Sequence, residues 1–115
     1  MNGMMKVVTL NGGRYVGLPK HIAARIVEAT KYRLSVDGEE KKVIHMEPIV
    51  RSEFKRSTCT TIRNRTAYDD QKWFRLPTEI VGEVSDDFFS VGKQVVVQFK
   101  PETNEILVRG TGRDA

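Results

Sequence analysis

The sequence predicts a mainly β domain with two short helices, laid out as two copies of one strand-helix-hairpin unit related by a pseudo-twofold axis. Three observations carry that expectation. A Leu-Pro pair occurs twice, at Leu18-Pro19 and Leu76-Pro77, at an offset of 58 residues. Each pair follows an extended stretch and precedes apolar residues at helical spacing. Each helix signal then gives way to two extended segments joined by turn-forming residues.

In the first half, Lys6-Val7-Val8-Thr9-Leu10 is β-branched and apolar, Asn11-Gly12-Gly13 breaks it, and Arg14 to Leu18 resumes extended character. This pattern reads as a β-hairpin. Pro19 fits the first helical position, and Ile22, Ala23, Ile26, Val27 and Ala29 form one apolar stripe through Thr30. From Lys31 the alternation of Tyr32, Leu34 and Val36 with Arg33 and Ser35 marks a strand, Asp37 to Glu40 turns the chain, and Lys42 to Met46 returns.

The second half repeats the order. Ser57 to Ile62 is rich in strand-forming Thr, Tyr68 to Gln71 reads as loop, and Lys72 to Leu76 is extended. Pro77 opens a helix with Ile80, Val81 and Val84 on one side, and Asp86-Asp87 reads as a solvated turn. Lys93 to Lys100 is an apolar strand, Pro101 to Asn104 turns, and Glu105 to Arg109 is the last strand. The expected organisation is one compact domain over 1–115, with a first repeat at 5–50, a second at 55–110 and a frayed tail at 111–115. A unit of this size cannot cover its own apolar face, so the two should share a core.

Composition narrows the function. The net charge is +4, with 39% hydrophobic and 30% charged residues, a globular balance. Residues 1–50 carry eight Lys or Arg against five Asp or Glu, 51–75 carry seven against three, and 76–115 carry four against seven. Cations concentrated before Leu76 point to a polyanionic partner, since they release counterions from a phosphate backbone. No run approaches the ~20 apolar residues of a membrane span, and Met1 to Lys6 lacks the apolar run of a signal peptide. The lone Cys59 fits a reducing compartment, so a cytoplasmic location is expected. With His21 and His45 as the only histidines, no metal pattern emerges, and neither cofactor nor small-molecule substrate is expected.

An enzyme is not expected either. Adjacent carboxylates such as Asp69-Asp70 and Asp86-Asp87 usually point apart, which suits neither acid-base nor metal work.

Both halves resemble a known family. Lys6-Val7-Val8-Thr9, Gly13-Arg14-Tyr15-Val16 and Leu18-Pro19-Lys20-His21-Ile22 are similar to the opening half of the AbrB/MazE/MraZ-type (SpoVT-AbrB) swapped-hairpin proteins. Phe74-Arg75-Leu76-Pro77-Thr78-Glu79-Ile80 and Val91 to Val97 are similar to the closing half. The resemblance implies an AbrB/MazE-like swapped-hairpin β-barrel in which this chain supplies both partners, with a homodimer of such chains left open. It also implies a transcriptional regulator that binds double-stranded DNA with the first hairpin of each unit. The residues so implied are Lys6, Arg14, Lys20 and Arg25 in copy one, and Arg56, Arg63, Arg65, Lys72 and Arg75 in copy two. A two-stranded ribbon fits a major groove, and Arg contacts phosphates and guanine edges alike. The loop from Asn64 to Gln71, with Asp69 and Asp70, makes copy two unlike copy one, so the site need not be palindromic.

The competing expectation is a protein-interaction module, antitoxin-like or inhibitory, since MazE-like members also capture a toxin. About six residues follow Arg109, which is short for a wrapping arm. Trp73-Phe74 between Lys72 and Arg75 would also suit stacking on unpaired bases, with at least one ring expected in the core.

Overall fold

The structure, a computed structural model, describes residues 1–65 and 71–115. Strands β1 (Asn2–Leu10) and β2 (Gly13–Gly17) are joined at Asn11-Gly12, whose φ values of 50° and 79° are those of a type I′ hairpin turn. Strand β1 begins at Asn2 rather than Lys6 because it serves two partners. Its first half pairs with β8 (Lys93–Lys100), Asn2 opposite Gln98, and its second half, from Val7, pairs with β2.

Helix α1 (Lys20–Ala23) is much shorter than the apolar stripe predicts. Val27 is 78% exposed, Ala29 takes a φ of 74°, and its amide donates to the Ile62 carbonyl at 2.8 Å. That bond draws the chain back into the sheet before a second turn can form. Pro19 stands one residue before α1 in an extended conformation, and Pro77 does the same before α2 (Thr78–Glu83), so each proline caps its helix rather than occupying its first position.

Strands β3 (Lys31–Asp37) and β4 (Val43–Ile49) form the expected second hairpin. After a 3₁₀ turn at Arg51–Glu53 come β5 (Cys59–Thr61), β6 (Arg63–Asn64) and β7 (Lys72–Arg75). The loop expected at Tyr68 to Asp70 lies outside the described residues.

Two further expectations are corrected. Asp86-Asp87 is no turn but the start of a third helix, α3 (Asp86–Phe89): the Ser85 hydroxyl accepts from the Asp87 N–H at 3.3 Å, and burial of Phe89 anchors the helix to the core. The segment after Arg109 is not frayed, because β9 (Glu105–Asp114) continues through it. Asp114 lies opposite Lys93 with an ion pair of 3.1 Å, and the Ala115 amide donates to the Gly92 carbonyl.

The nine strands among the described residues form one sheet in the order β5-β3-β4-β9-β8-β1-β2-β7-β6. Its two ends, β5 and β6, are separated in the chain only by Ile62, so the sheet comes round into a nearly closed barrel. Thr60 strengthens the seam by donating its hydroxyl to the Arg75 carbonyl at 2.7 Å. Alternation fills the interior: Val95, Val97 and Phe99 of β8 lie beside Ile106 and Val108 of β9 on the inner face, in one core with Ile44, Phe74 and Phe89.

The β2–β7 pairing positions the site. Val16 lies opposite Phe74, Tyr15 opposite Arg75 and Gly17 opposite Trp73. Beyond the ladder, the Leu18 amide donates to the Lys72 carbonyl and the Leu76 amide to the Arg14 carbonyl, both at 2.8 Å. No helix among the described residues is long and apolar enough to cross a membrane.

Candidate nucleic-acid interface

Strand pleating decides which side chains of β7 reach the surface. Lys72 and Phe74 point inward and are buried, whereas Trp73 is half-buried and Arg75 exposed. Tyr15 of β2 shares their outer face, and its ring stacks on Trp73 with centroids 4.4 Å apart and planes at 29°. The Arg65 guanidinium carbon lies 5.1 Å from the centre of the indole ring, within cation–π range. Arg63 of β6 lies opposite Trp73 in the ladder. Arg75 lies across the backbone of Gly13, where a methyl group would come within 2.8 Å of its Nε.

These residues rim a hollow of about 270 Å³, walled by Tyr15, Phe54 and Trp73 and bordered by Arg56, Arg63 and Arg75. Among the described residues no carboxylate lines it. Arg63 makes a long, exposed ion pair of 3.6 Å with Glu28. Among the described residues, no Asp or Glu oxygen stands within 4.0 Å of the Arg56, Arg65 or Arg75 guanidinium. Four of the nine expected cations, Arg56, Arg63, Arg65 and Arg75, are thus gathered around one aromatic pair.

The others are engaged or stand elsewhere. Lys72 is only 8% exposed, and its Nζ donates to the Ala23 carbonyl at 3.1 Å. Arg14 donates to Asp86 Oδ1 at 3.0 Å and to the Phe89 carbonyl at 3.3 Å. Ala23 ends α1 and Phe89 ends α3, so both cations satisfy the last carbonyl of a short helix, where a positive charge is favoured. Lys20 is exposed at the start of α1 and lines a second hollow with Arg65 and Lys72. Lys6 is exposed on β1 opposite Gln94, and Arg25 is exposed beside Val27 and Asn104.

Sequence reasoning missed Phe54 and the role of Gly13. Phe54 precedes Lys55-Arg56, and its ring lies 5.1 Å from the Lys31 Nζ, a contact no local spacing reveals. Of the histidines, His21 is exposed on α1, and His45 Nε2 lies 2.6 Å from Glu105 Oε2. The Thr103 hydroxyl and the His45 ring hold the Glu105 carboxyl below the usual carboxylate range. That pair involves none of the arginines around the hollow. Among the described residues no group of three or more His, Cys, Asp or Glu is placed to hold a metal ion.

The chain was compared with family models, curated proteins and solved structures, and nothing matches it in any of the three.

Proposed function

We propose that this protein binds double-stranded DNA through the face carrying Tyr15, Trp73, Arg63, Arg65 and Arg75, and acts as a transcriptional regulator in the cytoplasm. The observation that carries the reading is the set of guanidiniums around the Tyr15–Trp73 stack, three of them without a carboxylate partner among the described residues. Surface arginines in a mixed-charge protein usually find acidic neighbours; a cluster left open favours a phosphate backbone, which supplies charge and bidentate acceptors together.

The same proposal takes the two halves as copies of one swapped-hairpin unit of the AbrB/MazE type. Its support is reciprocity. Arg14 and Lys72, and Leu18 and Leu76, are each 58 residues apart, and the bonds Leu18 to Lys72 and Leu76 to Arg14 exchange under that shift. The β2–β7 register does likewise, with the Val16–Phe74 pair mapping onto itself. The surface is less symmetric than this frame, because copy one spends Arg14 on Asp86 while copy two leaves Arg56, Arg65 and Arg75 without a carboxylate partner among the described residues.

Salt-titrated binding to duplex DNA tests the reading. Log affinity should fall linearly with log salt, with a slope of about −0.9 per phosphate neutralised. Reversing the charge of Arg63, Arg65 and Arg75 together should abolish binding. Absence of binding at low salt, or indifference to that triple reversal, overturns it.

A further inference from the structure

We propose that the hollow beside Trp73 is a seat for a single unpaired nucleotide, an inference that rests on the nucleic-acid reading above and gives its site a substrate class. A duplex is convex and shows this face only backbone and groove edges. The hollow is concave, and at about 270 Å³ it lies just under the ~300 Å³ where drug-sized cavities begin, which leaves room for a base. Its aromatic lining is Tyr15, Phe54, Trp73 and the buried Phe74, and Tyr15 and Trp73 are already stacked into a rigid platform. Rigid aromatic faces beside cations are the means by which proteins hold unstacked bases without depending on their sequence.

The polar groups complete the fit. Arg56, Arg63 and Arg75 border the hollow with no lining carboxylate among the described residues, so a nucleotide whose base enters meets guanidiniums at its phosphate. On the inner wall the Thr61 hydroxyl accepts from Lys31 Nζ at 3.3 Å, which leaves its own proton for a base-edge acceptor. The Thr60 hydroxyl donates its proton to the Arg75 carbonyl and keeps acceptor capacity for a base amino group. The lining therefore offers stacking, one donor and one acceptor at the base and a cationic rim at the phosphate.

Three ligands separate the outcomes: a fully paired duplex, the same duplex with one bulged adenosine, and the same bulge made abasic. Trp73 is the single tryptophan, so its emission reports occupancy directly. The bulged duplex should bind about ten-fold more tightly than the other two, the size of one base–aromatic stack, and should quench Trp73 emission. Tyr15→Leu removes part of the platform, and Thr78→Phe fills the hollow from an exposed position on its rim; each should erase the preference, while Thr78→Ser retains it. Equal affinity for all three ligands overturns the nucleotide seat and leaves duplex binding standing. If no duplex binds, adenosine monophosphate decides: saturable quenching of Trp73, lost in Thr78→Phe, supports the seat and overturns the duplex reading, and no quenching overturns both.

Discussion

Tyr15 and Trp73 stack 4.4 Å apart although 58 positions separate them in the chain. They are diagonal neighbours across β2 and β7, and Gly17, directly opposite Trp73, brings no side chain to compete. Tyr15→Leu keeps an apolar residue on the strand and removes the ring. Emission of Trp73 should shift to the red as water reaches the indole, and stability should fall by about 0.5–1.5 kcal/mol. Fluorescence during urea denaturation reads both, and an unshifted folded-state spectrum would refute the stack.

Gly13 gives way to Arg75. Its φ is not in the left-handed region, so alanine suits the backbone, but the new methyl would meet Nε at 2.8 Å and Cζ at 3.2 Å. The two nearest obstructing atoms belong to the far end of a flexible side chain, which can swing away at little cost, and the Tyr15 ring, with Cε1 at 3.3 Å, has to give by only a few tenths of an ångström. Gly13→Ala should therefore melt near the wild type while the salt dependence of duplex binding loses about one phosphate contact, or 0.9 in slope. A large drop in melting temperature with an unchanged slope would refute this account.

Lys72 and Arg63 lie in the same hairpin and should respond in opposite ways. Lys72→Met removes a charged donor from the buried Ala23 carbonyl and should cost about 1–3 kcal/mol of stability, with no change in salt slope. Arg63→Met loses only an exposed, long ion pair to Glu28, worth about 0–1 kcal/mol, yet should lower the slope by about 0.9. Denaturant melts and salt titrations on the two variants make the comparison.

The strands were legible in the sequence where local chemistry decides them. The type I′ turn at Asn11-Gly12 and the alternation of β8 are written in neighbouring residues. Long-range contacts were not legible. The early end of α1 depends on Ile62 capturing the Ala29 amide, and the survival of β9 to Asp114 depends on Lys93 and Gly92. The candidate site divides the same way. Counting arginines found the cluster, but only the pleat of β7 distinguishes exposed Arg75 from buried Lys72, and only the fold brings Phe54 to Tyr15.

Gly110 is fixed by packing. A methyl group there would come within 2.4 Å of Phe88 Cβ and 3.2 Å of the Phe88 carbonyl oxygen, neither of which can rotate aside. Since α3 packs on β9 at this point, Gly110→Ala should push the helix outward and cost about 1–3 kcal/mol, the usual range for overpacking. A thermal melt tests it, and a variant as stable as the wild type would refute this account of the packing.

Tyr32 predicts the alkaline limit of the fold. Burial pushes its phenol from the ordinary value of 10.0 up to about 12, and its hydroxyl donates to the Asn104 carbonyl at 2.7 Å. The folded state holds the proton after the unfolded state has released it. Between pH 10 and about 12 the unfolded chain thus binds fewer protons, and stability must fall as pH rises. The contribution is complete below the unfolded value and gone above the folded one. Tyr32→Phe carries no such proton, so the decline of its stability across that window should be shallower than that of the wild type, even though it starts lower for want of the bond to Asn104. Urea melts of both proteins at successive pH values measure the two slopes; parallel slopes would show that Tyr32 ionises as an ordinary exposed phenol.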